Sequence, residues 1–382
     1  MEANQTFIEQ NISCVLPYNI TENQWTFYYS FSWWLEGFGS IMIGSMGIIS
    51  NVITINVLLG SDLAASFFNW LLVCLAIFDN FCLLNGILEA FRRHIGSTSL
   101  HHYVFVIFLY PFRNTVMCCS IYITVILALE RYNALAAPTT CHRKNSLFRT
   151  QRSLKTYCVM HWARVMKYVG PIIIFSSLFY IPKLFELRLV KYEVCAKNET
   201  ASNCWYKSEV ELAELRNNTP YILWYLNVAN LLVTVIIPLT SLAYLNFNIF
   251  RKLKKYVERR PSVATSEFGV GIADGGTHRK LQRRDKDMIQ QTTVLFAIVI
   301  LFVLFHTLRI ILNIDEFVTI DNSDKANESG CTWLQYWTII AVPVSHLLLQ
   351  INSSINLFIY CVFNKSFRSV MKSKLFSIYS LF

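Results

Sequence analysis

Long, almost uncharged apolar stretches limit the possible folds of this chain more than any other feature. A bilayer core about 30 Å thick requires roughly 20 apolar residues per helical crossing. Inside lipid the backbone must satisfy its own hydrogen bonds, so such stretches form helices. The sequence predicts an all-α membrane protein, a seven-transmembrane helix bundle, with these spans: Gly37–Gly60, Phe67–Glu89, Val104–Tyr132, Val165–Phe185, Tyr221–Ile249, Thr292–Asn313 and Trp333–Phe363.

Composition excludes most alternatives. Hydrophobic residues make up 54% of the chain and charged residues 15%, which is too apolar for a soluble domain of this size. The eleven cysteines form no paired CxxC motif, and Cys74, Cys82, Cys118 and Cys119 lie in apolar runs, where core packing is the simplest role. With no nucleophile–base pair, phosphate loop or metal cluster at meaningful spacing, we expect neither an enzyme nor a metal site.

Basic residues determine the orientation in the membrane. The N-terminal stretch Met1–Leu35 has no Lys or Arg, whereas Arg131–Lys167 has eight basic residues and Arg251–Lys286 has eleven. The tail after Tyr360 has four more and no acid. By the positive-inside rule these segments are cytoplasmic, so the N-terminus is extracellular. The net charge of +10 therefore reflects topology rather than nucleic-acid binding.

The predicted organisation has three parts. Residues 1–36 form an extracellular glycosylated N-terminus with no evident cleavable signal peptide, residues 37–363 the seven-transmembrane bundle, and residues 364–382 a short amphipathic eighth helix with a short cytoplasmic tail. The third inner loop is expected at residues 251–289. Six glycosylation sequons fall on the predicted outer side, at Asn4, Asn11, Asn19, Asn198, Asn217 and Asn327.

Polar residues within the predicted spans need an explanation, because they are costly in lipid. Span two contains Asp79, span three ends with Glu130, Arg131 and Tyr132, and span seven contains a polar group followed by a tyrosine: Asn352, Ser353, Ser354, Asn356 and Tyr360. One interpretation is that these groups only bond helix to helix. The other is that they form a signalling core.

The pattern resembles that of rhodopsin-like (class A) G-protein-coupled receptors over nearly the whole chain. Glu130-Arg131-Tyr132 matches the triplet at the inner end of helix three, and Asn356–Tyr360 matches the helix-seven signature with its usual proline replaced by Leu357. Pro238 and Phe367 match family positions in helices five and eight. The resemblance implies an ionic lock and G-protein-coupling surface at Glu130, Arg131, Tyr132, Asn356 and Tyr360, released by outward movement of helix six.

The same resemblance implies a polar network in the middle of the membrane. Asp79, Ser120, Asn352 and Asn356 would converge there, and in related receptors such a cluster holds a sodium ion. Oxygen ligands suit this hard cation. A water-filled network without sodium is the alternative, and no other cofactor is expected.

A closer resemblance is to invertebrate FMRFamide-type neuropeptide receptors. The matching segments are Tyr110-Pro111, Ser120–Val125, Ile181–Glu186, His306–Arg309, Leu312–Glu316 and Asn352–Asn356. The resemblance implies a multi-pass plasma-membrane receptor for an extracellular amidated peptide, with a heterotrimeric G protein as partner. Arrestin and membrane lipid are further expected partners, and nucleic acid is not.

Two departures from the family pattern affect the expected mechanism. The helix-six Cys-Trp-x-Pro motif is replaced by Phe305–Leu308, so His306 either stands in for the tryptophan switch or is a hydrogen-bonded core residue. No cysteine lies between Arg92 and Met117, so the usual disulfide from helix three to the second outer loop cannot form. The cysteines expected outside the cell, Cys14, Cys195, Cys204 and Cys331, allow disulfides whose connectivity stays open.

Ligand-binding candidates lie in the outer halves of the predicted spans: Glu89, Arg113, Asn114, His306, Arg309, Asn313, Glu316 and His346. The segment Asp315–Glu328 has five acids and one Lys, and an acidic mouth would attract a cationic Arg-Phe-amide peptide. We expect Glu89 or Glu316 to contact the peptide's arginine, although Glu89 and Arg113 could pair with each other instead.

Other receptor classes fit less well. Span seven has no lysine for a retinal Schiff base, and span three has no aspartate for a monoamine. A chemoreceptor for a small molecule remains an alternative. A channel or transporter would require charged rings or broken paired helices, and it explains neither the helix-three triplet nor the basic inner loops.

Overall fold

The computed structural model describes residues 15–16, 20–60, 63–64, 66–96, 98–136, 154–195, 204–258, 275–328 and 332–379. Within these ranges six helices are long and apolar enough to cross a bilayer, and a bent pair makes a seventh. Helix one comprises Glu22–Ser32, a π-helical stretch Trp33–Gly39 and Ser40–Leu58. Helix two comprises Phe67–Ala90 and Phe91–Ile95. Helix three comprises Ser99–Val104, Phe105–Leu109 and Tyr110–Ala136.

The remaining helices complete the bundle. Helix four is Leu154–Phe179, followed by a 3-10 turn at Ile181–Phe185. Helix five comprises Thr219–Tyr221, Ile222–Ala229, Leu232–Ile236 and Ile237–Glu258. Helix six is Gly275–Val318. Short helices lie at Glu214–Asn217 and Ile320–Glu328; helix seven comprises Tyr336–Ser354 and Asn356–Phe363; helix eight is Lys365–Tyr379. The predicted bundle with an eighth helix is therefore confirmed.

Helix one begins at Glu22, well before the predicted start of the first span at Gly37. Thr21 and Gln24 form a capping box, in which each side chain accepts a hydrogen bond from the other residue's backbone N–H. The span prediction followed hydropathy alone, and hydropathy does not detect the polar first turns of a helix.

Helix seven is bent by 46° at Ile355, so the single span predicted at Trp333–Phe363 consists of two helices. The bend comes directly before Asn356 and turns the second half toward helix eight. Helix eight is held there by polar contacts: the Lys374 ammonium donates to the Asn56 carbonyl at the inner end of helix one (2.6 Å), and Arg368 donates to the Cys361 carbonyl (2.9 Å).

Two small sheets lie among the outer segments, where the sequence indicated only loops. Strands β2 (Leu187–Cys195) and β3 (Cys204–Leu212) form an antiparallel hairpin between helices four and five. Strands β1 (Val15–Leu16) and β4 (Thr332–Trp333) pair in parallel and join the N-terminal segment to the start of helix seven. Asn217 and Asn327 lie in the short helices of these outer segments, and the sequons Asn4, Asn11, Asn19 and Asn198 lie outside the described residues.

Small residues let helices one, two and seven approach closely, as is common in membrane helix packing. A Cβ atom added to Gly47 of helix one would lie 2.6 Å from Ser354 Cβ and 2.7 Å from Leu83 Cδ1. A Cβ atom added to Gly170 of helix four would meet nothing within 4 Å. The first glycine is required by packing and the second is not.

We predict that Gly47→Ala destabilises the protein by an amount in the usual overpacking range of about 1–3 kcal/mol. Gly170→Ala is the matched control. It should be close to neutral, because the helix preference of alanine over glycine, roughly 1 kcal/mol, opposes the crowding of the new Cβ by the ring of Pro171. The measurement is the thermal unfolding midpoint in detergent, and equal midpoints for the two variants would contradict the packing argument.

Candidate functional site

The inner end of helix three holds a buried arginine, Arg131, which is 5% exposed. Its guanidinium donates hydrogen bonds to the carboxylate of Glu130 and to the side-chain oxygen of Gln291 on helix six. The guanidinium carbon also lies 4.2 Å from the ring centroid of Phe68 on helix two. Arg131 therefore connects three helices at the cytoplasmic side.

Two tyrosines named from the sequence lie close to this inner end. The ring of Tyr132 is 3.6 Å from the ammonium of Lys252 on helix five, a cation–π contact. Tyr360 is buried against Phe367 of helix eight, with ring centroids 5.5 Å apart. Its hydroxyl has no hydrogen-bond partner among the described residues.

Asp79 is the centre of a polar cluster in the middle of the bundle and is almost fully buried. Its two carboxylate oxygens accept hydrogen bonds from the hydroxyl of Ser120 on helix three (2.9 Å) and from the amide of Asn356 on helix seven (2.7 Å). Asn51 of helix one donates to the carbonyl of Ser353 on helix seven at 3.0 Å, which joins helix one to the helices around this cluster. Three of the four predicted network residues are thus directly bonded.

A small cavity of about 10 Å³ lies beside these groups, with Asp79, Ser120, Asn352 and Asn356 in its wall. This is space for about one water-sized occupant. The carboxylate, hydroxyl and amide oxygens in this wall are hard ligands of the kind that sodium prefers. The residues therefore fit a sodium ion, which Asp79, Ser120 and Asn352 would hold.

A larger cavity, about 40 Å³, lies on the outer side between helices two, three, six and seven. Its wall includes three predicted ligand-binding residues, Arg113, His306 and His346. Ser120 and Asn352 line both cavities, so the two adjoin. The described residues in the wall of the outer cavity include no aspartate or glutamate.

Arg113 forms no hydrogen bond or ion pair with any residue in the described ranges, and neither does Arg309. The charges acting on Arg113 include the attractive carboxylate of Glu89 and the repulsive guanidinium groups of Arg93 and Arg309. The alternative left open by the sequence, an ion pair between Glu89 and Arg113, is not formed, because Glu89 instead accepts hydrogen bonds from Arg92 and Arg93, three and four residues later on its own helix. Within the described residues, the outer part of the bundle therefore contains two guanidinium groups that have neither a hydrogen bond nor an ion pair.

His306 and His346 have different partners. His306 Nδ1 lies 2.9 Å from the Phe302 carbonyl, so this nitrogen carries the proton, because a carbonyl only accepts. His346 Nδ1 lies 2.6 Å from the carboxylate of Glu36 on helix one, which also accepts from Ser32 at 2.9 Å. Sequence reasoning missed Glu36, although a lone acid inside the apolar stretch before Gly37 was a usable signal.

The other predicted ligand contacts lie outside the cavity wall. Asn114 donates to the Tyr110 carbonyl of its own helix at 2.8 Å. Glu316 is half exposed near the outer end of helix six, with the guanidinium of Arg216 at 3.7 Å. Asn313 is half-buried one turn before it.

Another buried acid, Glu186, lies at the junction of helix four and the outer hairpin and is 0% exposed. Its carboxylate accepts from the hydroxyls of Tyr110 and Tyr221, both at 2.6 Å, and lies 2.9 Å from the Lys183 ammonium. The sequence placed Glu186 in a family-like segment but gave it no role. Nothing local to that segment indicates that two distant tyrosines meet it.

Comparison with known proteins agrees with this architecture. Residues 50–360 match the family described as 7 transmembrane receptor (rhodopsin family). The chain belongs to this family and is a multi-pass receptor of the plasma membrane, not an enzyme. The resemblance derived from the sequence is confirmed.

Two similar receptors from other animals add detail to this family assignment. The chain is similar to the FMRFamide receptor of Drosophila melanogaster, with 26% identity over 347 residues, 88% of this chain and 53% of the relative. It is also similar to the FMRFamide peptide receptor frpr-18 of Caenorhabditis elegans, with 23% identity over 338 residues, 87% of this chain and 67% of the relative. The chain spans about half the length of the fly relative.

We predict that sodium chloride raises the thermal midpoint of the solubilised receptor above its value in choline chloride at equal ionic strength. The reason is that an ion bound only by the folded state stabilises it. Asp79→Asn keeps the size and an acceptor oxygen but removes the charge, so its midpoint should be the same in both salts. Equal midpoints for the unchanged chain would instead favour a network filled with water.

Proposed function

We propose that this chain is a receptor for an extracellular neuropeptide of the Arg-Phe-amide type, and that it passes binding on to a heterotrimeric G protein. The observation that carries the proposal is the adjoining of the two cavities at Ser120 and Asn352. A ligand in the outer cavity touches side chains of the Asp79 network directly. The names of the two relatives support the peptide class.

The charges favour one orientation of the peptide. The outer cavity contains the Arg113 guanidinium and has no acid among the described residues of its wall, so a cationic peptide side chain would be repelled there. Arg113 is partly buried, and a partly buried cation without a hydrogen-bond acceptor is costly, so a ligand carbonyl that accepts its hydrogen bonds lowers that cost. The amidated carboxyl end of the peptide, which offers carbonyl acceptors and carries no positive charge, therefore faces this cavity.

The peptide's arginine then remains at the mouth. Glu316 is half exposed there and lies at a loose 3.7 Å from Arg216. Glu89 is a poorer partner, because Arg92 and Arg93 already occupy its carboxylate. Of the two acids expected from the sequence to contact the peptide, Glu316 is the one we propose.

Activation follows from the contacts of Arg131. Helix six runs from Gly275 to Val318, 44 residues, and at about 1.5 Å per residue it extends beyond the bilayer core. Outward movement of its inner end separates Gln291 from Arg131 and frees the guanidinium for the G protein. Ligand drives this step by binding the open arrangement more tightly than the closed one. Arrestin binding to the same inner face is part of the proposal.

The first test is a calcium or cyclic-AMP response in cells expressing the chain, challenged with a panel of Arg-Phe-amide peptides. We expect sub-micromolar activation by some of them and its loss in Arg131→Ala with surface expression intact. The physical reason is that this variant still offers the outer cavity but lacks the cation that contacts the G protein. Silence of a surface-expressed receptor across the panel would instead favour a small-molecule ligand.

The second test is a double-mutant cycle between the receptor and the peptide. Glu316→Gln should lower the potency of Phe-Met-Arg-Phe-amide roughly 1.5- to fivefold, the range of an exposed charge contact. It should have little effect on the same peptide with citrulline in place of arginine. Asp321→Asn, which neutralises an exposed acid in the neighbouring short helix, is the matched control. Equal losses for both peptides would refute the assigned contact.

A further inference from the structure

The carboxylate of Glu186 joins three helices near the outer surface. Tyr110 belongs to helix three, Tyr221 to helix five, and Lys183 to the turn that ends helix four. All three donate to the same carboxylate, at 2.6, 2.6 and 2.9 Å. Hydrogen bonds to an ionised acceptor are the stronger kind, and water does not compete at a site that is 0% exposed.

The backbone of the same residue closes the outer hairpin. The Glu186 carbonyl accepts from the Ala213 N–H at 2.9 Å. Strand β2 begins at the next residue, Leu187, and strand β3 ends at Leu212. Any shift of Glu186 therefore moves the base of both strands.

The hairpin lies against the outer end of helix three. Leu187 and Val210 pack on the cluster formed by Phe105, Val106 and Leu109. Farther along strand β3, the Ser208 hydroxyl donates to the Ser99 hydroxyl at 3.1 Å. These contacts are apolar or neutral, whereas the Glu186–Tyr110 hydrogen bond links the hairpin base to helix three through a charged group.

Helix three has no cysteine in its outer portion, between Arg92 and Met117, so it cannot be tied covalently to this hairpin. We propose that the buried Glu186 carboxylate serves in place of such a bond, fixing the hairpin against helix three above the outer cavity. Glu186 is then a positioning residue for ligand entry. Its effect on peptide potency rests on the proposed function, whereas its effect on the hairpin position does not.

The first experiment measures that position without any ligand. Ser99→Cys and Ser208→Cys together place two thiols where the hydroxyl oxygens are 3.1 Å apart. A disulfide should then form on mild oxidation in membranes, because cysteine closely matches serine in size. Its rate of formation, followed by mass spectrometry of the linked peptides, reports how long the hairpin stays against helix three.

We expect the rate to fall several-fold in Tyr110→Phe, which removes the helix-three bond and keeps the ring. Glu186→Gln should lower it further, although the variant leaves Lys183 buried without its partner and is informative only when it reaches the cell surface. Glu211→Gln is the matched control, because Glu211 lies on the same hairpin in an exposed ion pair with Arg188. An unchanged rate in Tyr110→Phe, or no cross-link in the otherwise unchanged chain, would overturn the proposal.

The second experiment asks whether a covalent link restores what the carboxylate provides. With Phe-Met-Arg-Phe-amide as the probe, Tyr110→Phe should lose about tenfold in potency. It should recover most of that loss once the disulfide between the two introduced cysteines, at positions 99 and 208, has formed. Neither Ser99→Cys nor Ser208→Cys alone should restore it. Tyr221→Phe removes the bond from helix five to Glu186, so the same cross-link should not restore the potency that this variant loses.

The outcomes separate the two proposals. A potency loss in Tyr110→Phe that the cross-link leaves in place would mean that Tyr110 contacts the ligand rather than positioning the hairpin. Silence of every variant toward the peptide, together with the expected cross-linking rates, would refute the peptide assignment and leave the positioning role of Glu186 standing.

Discussion

An ionised side chain in a bilayer is costly unless other groups of the protein solvate it, and the arrangement of this bundle depends on how that requirement is met. Asp79, Glu186 and Glu36 are all buried, and each collects donors from more than one helix. Association of helices in lipid gains little from the hydrophobic effect, so packing and such polar contacts decide which faces meet. The acids thereby set the positions of the helices around them.

The cations follow a different pattern, with Arg131 buried and Arg113 partly buried. Arg131 is held by one acid and one neutral amide, and Arg113 has no hydrogen bond or ion pair within the described ranges. A charged group whose partners are weak or missing gains the most interaction energy when a new partner binds it. The outer cavity and the inner end of helix three are therefore the places where ligand or G protein could change the balance between conformations.

The predicted spans agree with the helices wherever hydropathy was the deciding property, as in helix two, predicted to begin at Phe67 and found there. They differ where local polar chemistry decides. The capping box at Thr21 extends helix one outward, and the bend at Ile355 divides helix seven. The outer hairpin was not predicted, because its two strands are stabilised by pairing with each other rather than by any signal within one segment.

The candidate site was predictable in part. The polar residues around Asp79 and the Glu130–Arg131 pair were identified because charge inside an apolar span is conspicuous, and Glu36 was missed because it precedes the predicted span. The partner of Glu89 was not foreseen: residues on its own helix at i+3 and i+4 reach it, while Arg113 on another helix does not.

The sequence alone determined the number of spans, the orientation and the kind of residue available at each depth. These follow from transfer of individual segments into lipid and from the placement of basic loops, both of which are local to the chain. Only the tertiary structure decided which polar groups meet. Asp79 and Asn356 are 277 residues apart, and Tyr110 and Glu186 are 76 apart. Contacts over such separations depend on how the helices rotate and pack, which no single segment specifies.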